Sequence, residues 1–206
     1  MNKIQIIVNN GAGTGSAVAV WKETKEYLQE NGISYNAYLT RYEKHAVKLA
    51  GQICGKIPQV AIYLLVVGGD GTINEVLNGI TDFDRVRLGV IPTGSGNDFA
   101  RNLGILRDTR EDLREITACI DQEQNGEKLQ RIDLGKVSWE GCEKPRIFGI
   151  SAGAGLDAIV CKKALHSKLK KILNRFHLGK LTYLMLTVQT LFSMRTFQAN
   201  VTTDGE

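Results

Sequence analysis

With 206 residues, 43% hydrophobic and 23% charged, the chain has ordinary globular composition and the length of one to two domains, which excludes a disordered polymer and a small disulfide-stapled scaffold. Its four cysteines are widely spaced with no Cys-x-x-Cys pair, and its longest apolar run, residues 60–67, is far short of the ~20 residues of a membrane span, so neither a zinc ribbon nor a transmembrane protein is indicated. The formal net charge of +4 is uneven: residues 158–203 hold eight Lys and Arg and no acid, whereas residues 1–157 sum to −2. Met1 leads directly into the first predicted strand, which points to a cytoplasmic protein without a signal peptide and with its four thiols buried.

Residues 3–9 read as a short apolar strand, followed by the turn Asn9-Asn10-Gly11-Ala12-Gly13-Thr14-Gly15 and an amphipathic helix over 16–30. The turn approximates the dinucleotide fingerprint but fails it, because Ser16 or Val18 stands where the third glycine belongs and no acid ends the next strand. A Gly-x-x-x-x-Gly-Lys-[Ser/Thr] loop is also absent. A second strand comes next over 34–39 and a helix over 43–56. Residues 60–67 are then almost unbrokenly apolar, the pattern of a parallel strand covered on both faces.

That strand breaks into Gly68-Gly69-Asp70-Gly71-Thr72-Ile73-Asn74-Glu75, with a short helix expected over 73–80. At the C-terminal end of a parallel strand, backbone N–H groups and the first turn of the next helix point outward, and glycines let a phosphate approach them. Asp70 adds a carboxylate suited to a metal and Thr72 a hydroxyl. A second copy lies downstream: a strand over 88–91, then Pro92-Thr93-Gly94-Ser95-Gly96-Asn97-Asp98 and a helix running to Leu103. If the two strands are neighbours, Asp70, Thr72, Thr93, Ser95 and Asp98 converge on one sheet edge. The plainer reading makes the second loop a turn and Asn97 or Asp98 a helix cap, and gives Asn74 and Glu75 capping roles as well. Two such loops at matching strand ends favour the phosphate crevice.

A helix is expected over 108–121, a polar boundary over 122–128, and paired strands over 129–138 and 146–151 joined by the turn at 139–145. Beyond these, Leu165, Leu169, Ile172, Leu173 and Phe176 recur at helical spacing among Lys162, Lys163, Lys168, Lys170, Lys171 and Arg175, with a more apolar helix after them over 181–192. Such a basic amphipathic helix suits an anionic membrane surface, each lysine contributing about 1 kcal/mol there. The alternative is a core-facing stripe with solvated lysines. Nucleic acid is a weaker partner, since no aromatics interleave with the lysines.

These motifs together resemble the diacylglycerol kinase catalytic-domain family, particularly its soluble bacterial lipid kinases. Asn9 to Gly13 is similar to the family's opening turn, Thr40 with His45-Ala46 to its Thr and Gly-His-Ala, Gly68 to Thr72 to its signature, and Thr93 to Arg101 to its Thr-Gly-x-x-Asn-Asp-Phe-Ala-Arg. Arg131-Ile132-Asp133-Leu134-Gly135 resembles its Asp-x-Gly strand, and Phe148 with Gly155-Leu156-Asp157-Ala158 the segment after it. Asn10 replaces the family's proline and Ile150 its common asparagine.

The resemblance implies an α/β fold: a Rossmann-like, phosphofructokinase-like parallel sheet with helices on both faces in a nucleotide-binding domain over 1–125, and the beginning of a β-rich lipid-binding domain over 126–206. Family members run roughly half as long again, so the lipid lobe is expected to be incomplete, lacking a further metal site and a glutamate taken as general base. An exposed sheet edge left by that shortfall would favour a homodimer. The implied reaction transfers the ATP γ-phosphate to the hydroxyl of diacylglycerol or a related lipid. Asn9, Asn10, Gly11, Ala12, Gly13, Thr40, Gly68 to Glu75, Thr93, Gly94 and Asn97 would hold the nucleotide. Asp70 would orient magnesium-bound phosphates, directly or through water, with Asp98 and Asp133 as further catalytic candidates. For these two, a salt bridge to Arg101 or Arg131 is the structural alternative. A soluble acceptor as in NAD kinases or phosphofructokinases, and a nucleotide-binding module without catalysis, stay open, whereas a dehydrogenase is disfavoured by the missing glycine and ribose acid. The protein is expected to be cytoplasmic and peripherally membrane-associated.

Overall fold

A computed structural model of the chain describes residues 3–11, 16–57, 61–94, 96–105, 108–127, 129–166 and 186–192. Its first compact unit comprises residues 1–151 and its second residues 152–206.

The first unit is built on β1 (Ile4–Val8), β2 (Tyr35–Leu39), β3 (Ile62–Gly68) and β4 (Val86–Pro92), paired in the order β2-β1-β3-β4 and all parallel. Between them run α1 (Ser16–Glu30), α2 (His45–Lys56) and α3 (Asp70–Leu77), and after β4 come α4 (Asp98–Asn102) and α5 (Thr109–Gln124). Every residue of β3 is buried, as its apolar run requires. Alternate side chains serve opposite faces: Leu64 and Val66 pack with Leu49, Ile53 and Leu77 of α2 and α3, while Leu65 and Val67 pack with Trp21 and Leu28 of α1 and Leu113 of α5. Each large apolar side chain so enclosed contributes about 1.5–3 kcal/mol, which fixes β3 as the axis of the sheet.

Helices lie on both sides because the chain moves outward in two directions. The step from β1 to β2 goes one way with α1 on one face, and the steps from β2 to β3 and from β3 to β4 go the other way with α2 and α3 on the opposite face. A single crossover hand demands that arrangement. The direction reverses between β1 and β3, and the crevice beyond their C-terminal ends is where open α/β sheets take ligands.

Several boundaries differ from those read in the sequence. Helix α3 starts at Asp70, not Ile73: Gly69 is extended, and the N–H groups of Thr72 and Ile73 already return to its carbonyl at 2.9 and 3.1 Å. Most of the signature is therefore the first helical turn. Helix α5 begins one residue late and runs to Gln124, with Asp108 accepting from the Glu111 N–H at 2.9 Å as its N-cap. The paired strands shrink to β5 (Gly135–Val137) and β6 (Arg146–Phe148), antiparallel and three residues each. Of the four thiols only Cys54 is buried, and Cys161 is exposed.

In the second unit α6 spans Leu156–His166 and residues 186–192 are helical. Lys163 donates to the Thr190 hydroxyl at 3.1 Å, so its ammonium joins these two segments. Lys168, Lys170, Lys171 and Arg175, the centre of the basic stripe, lie outside the described residues. Among the described residues no helix is long and apolar enough to cross a membrane.

Candidate active site

The register β3–β4 places Gly68 beside Pro92, so the two glycine-rich loops leave the sheet side by side, as adjacency of their strands requires. They touch through backbone. A Cβ on Gly94 would lie 2.9 Å from the Gly69 Cα, and one on Gly69 would lie 3.0 Å from the Gly94 Cα. These glycines are needed for close approach of two main chains. Gly68 has a local reason: its Cβ would stand 2.7 Å from the Thr72 side chain.

Asp70 locks the pair. Its Oδ2 accepts from the Asp98 N–H and its Oδ1 from the Phe99 N–H, both at 3.1 Å. The first turn of α4 is thus capped by a carboxylate from α3, which matches the positive end of a helix with a negative charge. Asn97, the residue before α4, does not cap it; with φ of 54° it turns its side chain back, accepting from the Gly94 N–H at 2.8 Å and donating to the Gly94 carbonyl at 2.9 Å. Asp98 forms an ion pair with Arg101 at 2.6 Å, and Arg101 also donates to the Gly96 carbonyl at 2.8 Å. The structural alternative for Asp98, a salt bridge to Arg101, is therefore present.

At the reversal point Asn9 donates to the Thr72 hydroxyl at 2.8 Å and accepts from the Gly11 N–H at 3.1 Å, tying the first turn to the signature. Ser16, at the start of α1, reaches the Thr93 carbonyl at 3.4 Å. Thr40 comes directly after β2, its N–H bonded to the Val8 carbonyl at 2.9 Å. The ends of all four strands therefore carry candidate residues. Ala12, Gly13 and Ser95 fall outside the described residues.

Two buried polar atoms stand out here. Thr93 is 5% exposed, and among the described residues its Oγ1 has no hydrogen-bond partner; the Asn10 Oδ1 is likewise buried and without a partner among them. A buried hydroxyl without a partner costs about 1–3 kcal/mol, so such atoms need a reason. A hydroxyl can donate to a phosphate oxygen, and an amide oxygen can accept from a sugar hydroxyl or a water on a metal.

A cleft of about 300 Å³ lies against Asp70, Gly71 and Asp98, its other wall formed by residues 148–151 and its apolar lining by Ile73, Leu77, Phe99, Phe148 and Ile150. Asp133 is not in that lining. It is exposed and precedes β5, so the expected burial of its charge on a strand is not found, and Arg131 pairs with Asp84 at 3.0 Å instead. Glu75 points elsewhere too: its carboxylate accepts from the N–H groups of Lys44 at 3.0 Å and Ala46 at 3.2 Å, capping α2 across the α2–α3 contact. Lys44 adopts φ of 66° there. Asn74 reaches the Ile147 carbonyl at 3.5 Å, and Asn78, a residue outside the sequence-based set, bonds the same strand twice. The spacing of Asn74 and Asn78, one helical turn apart, is the available sign in the sequence.

Among the described residues no group of three or more His, Cys, Asp or Glu is placed to hold a metal ion. Asp70 and Asp98 are nonetheless oxygen donors flanking Gly96, whose Cβ would lie 3.0 Å from the Asp70 Oδ2 and 3.6 Å from the Asp98 Oδ2. Magnesium is held by one or two carboxylates together with substrate phosphates, so this donor set fits it.

The model of the diacylglycerol kinase catalytic domain matches residues 3–137. A Bacillus subtilis (strain 168) protein named "Putative lipid kinase YtlR" is 30% identical over 202 residues, covering 97% of this chain and 63% of that protein. A "Diacylglycerol kinase" of the same organism is 34% identical over 167 residues, covering 79% of this chain and 49% of that protein. The chain thus spans between about half and two thirds of these relatives' lengths. Among solved structures, a diacylglycerol kinase from Bacillus anthracis str. Sterne is 28% identical with a TM-score of 0.47, over 56% of this chain and 39% of that one.

Proposed function

This chain belongs to the diacylglycerol kinase catalytic-domain family, and on that premise we propose that it binds ATP and transfers its γ-phosphate to the hydroxyl of diacylglycerol or a related lipid. The single observation that supports the nucleotide assignment most is the Thr93 hydroxyl, buried at the end of β4 beside the interlocked glycine loops with no partner among the described residues. Phosphate oxygens would satisfy it.

Backbone N–H groups at Gly69 to Gly71 and the positive end of α3 hold the phosphates, with Asn9, Asn10, Gly11, Thr40 and Thr72 along the crevice. Gly68, Gly94 and Asn97 shape the same loops, whereas Ile73 lines the cleft, Asn74 reaches β6 and Glu75 caps α2; these three, with Ala12 and Gly13, join the nucleotide set on resemblance alone. Magnesium, when bound, neutralises charge developing on the transferred group, and Asp70 and Asp98 would hold it, Asp70 directly or through water. Each Asp70 oxygen already accepts one N–H, which leaves further lone pairs for that role. Asp133 is kept as a catalytic candidate, also on resemblance alone.

The acceptor lies in the cleft whose walls carry Ile73, Leu77, Phe99, Phe148 and Ile150. That lining favours a lipid over a sugar or a nicotinamide nucleotide, which would need polar partners at those positions. The basic stretch at Lys162, Lys163, Lys168, Lys170, Lys171 and Arg175 would attract an anionic bilayer, bringing the protein peripherally to its substrate from the cytoplasm. Two copies of the protein would associate as a homodimer.

The test is transfer of labelled phosphate from ATP to diacylglycerol dispersed in anionic vesicles by the intact protein, with NAD and glycerol as rival acceptors. Labelled lipid that depends on magnesium is the expected product. Phosphorylation of NAD alone would replace the lipid reading, and binding of ATP without transfer to any acceptor would leave a nucleotide-binding module.

A further inference from the structure

Among the described residues strand β6 has a strand partner on one side only, and its other edge is met chiefly by the Asn78 side chain, with Asn74 beside it at 3.5 Å from the Ile147 carbonyl. In the antiparallel register Ile147 faces Lys136, with Arg146 and Phe148 facing Val137 and Gly135. Hydrogen-bonded and non-hydrogen-bonded pairs alternate in such a ladder. The N–H and C=O of Ile147 turn away from β5, and both end on Asn78: the Ile147 N–H donates to its Oδ1 at 3.0 Å and its Nδ2 donates to the Ile147 carbonyl at 2.8 Å. One amide side chain thus supplies the donor and acceptor that a neighbouring strand would supply. The remaining Nδ2 hydrogen goes to the Asn74 carbonyl at 2.8 Å, which holds the amide in orientation.

The chain leaving β6 forms the far wall of the acceptor cleft. The Phe148 ring packs on Gly135, where a Cβ would be 2.1 Å from it, and Gly149 abuts α4, where a Cβ would be 2.7 Å from the Phe99 ring and 3.1 Å from Leu77. Residues 148–151 then face Asp70, Gly71 and Asp98 across the opening. Asn78 sits at the C-terminal end of the helix whose first residue is Asp70.

From this we infer that Asn78 is a positioning residue, which sets the distance between the cleft wall at residues 148–151 and the signature helix and thereby tunes acceptor binding without touching the nucleotide loops. The inference deepens the lipid kinase reading and rests on it for the identity of the acceptor.

Asn78→Ala and the near-isosteric Asn78→Asp are made in the intact protein. Asn78→Asp keeps an acceptor for the Ile147 N–H but sets a carboxylate against the Ile147 carbonyl. Three readouts are compared with wild type: amide exchange over residues 146–151, ATP affinity by titration, and KM against kcat for diacylglycerol in anionic vesicles. The expected result is about tenfold faster exchange at Ile147 in Asn78→Ala and about tenfold higher acceptor KM in both variants, with ATP affinity within about twofold. Unchanged exchange at Ile147, an unchanged acceptor KM, or ATP affinity falling in step with acceptor KM would each overturn the inference. If wild type phosphorylates no lipid, the kinase reading fails separately. The positioning claim is then decided by whether faster exchange is confined to residues 146–151, as expected, or also spreads through residues 69–74, which would overturn it.

Discussion

The two ends of helix α3 are held by opposite means. At its N-terminus a side chain reaches out to backbone: Asp70 caps α4 with both oxygens, and the surrounding loops interlock through glycines that admit no Cβ. At its C-terminus Asn78 takes the place of a strand, pairing with one residue of a three-residue ladder. The first junction is rigid because main chains touch. The second rests mainly on the Asn78 amide, with Asn74 a weaker contact beside it, so it is the place where the cleft wall would be adjusted without disturbing the glycine loops.

The largest expected effect comes from Asp70→Ala, which removes a proposed metal donor and the α4 cap together. Kinase activity should fall by at least about a thousandfold, in line with loss of a principal electrostatic group. The melting midpoint should also drop, by an amount corresponding to about 1–3 kcal/mol, since two amide groups lose a charged partner. The motif alone predicts a variant that melts normally, because it does not show the cap. Asp70→Asn, which keeps one acceptor oxygen, should recover part of the stability but little of the activity.

Gly94→Ala probes the interlock itself. Its Cβ would meet the Gly69 Cα at 2.9 Å and the Asn97 Oδ1 at 2.8 Å, so a loss of about 1–3 kcal/mol is expected in denaturant unfolding. A neutral result would mean that the loops can part freely. Glu75→Ala should cost about 1 kcal/mol through loss of the α2 cap, with Lys44→Gly in the same chain recovering some of it by relieving the left-handed turn.

The smallest effect belongs to the far face of the sheet. Arg110 of α5 donates to both oxygens of Glu30 at the end of α1, at 2.8 and 3.1 Å, and that hydrogen bonding, with its charge, holds the Glu30 carboxyl below its ordinary value of 4.5. The folded value is lower than the unfolded one, so this contribution is present above pH 4.5 and is lost as pH falls through the folded value. The pair is exposed and screened, so Arg110→Ala should alter the acid limb of the pH–stability curve only slightly.

How much of the fold and the site is legible in the sequence depends on which chemical signal carries it. The parallel sheet is announced by the apolar run in β3, because a strand covered on both faces leaves no polar position, and the adjacency of the two glycine loops by their shared form. The start of α3 reads too late because glycine looks like a loop former, whereas here it marks backbone contact within a helical turn. Asp70 is legible as important but not as a cap for another helix, since the hydrogen bonds that it accepts from the N–H groups of residues 98 and 99 leave no trace in local pattern. For Asp133 the pattern overstates burial: a three-residue strand is too short to enclose it, and it is exposed before that strand begins. Asn78 leaves only its spacing from Asn74, because its partner across the cleft wall is backbone.

The most direct measurement is titration of ATP with magnesium into wild type and Thr93→Val, with the melting midpoint of each taken alongside. Valine keeps the shape and removes a hydroxyl that has no partner among the described residues, so the variant should melt no lower than wild type. Its ATP affinity should nonetheless fall about ten- to a hundredfold, the worth of one hydrogen bond to a charged group. Unchanged ATP affinity in a variant that folds normally would contradict a phosphate site at the end of β4.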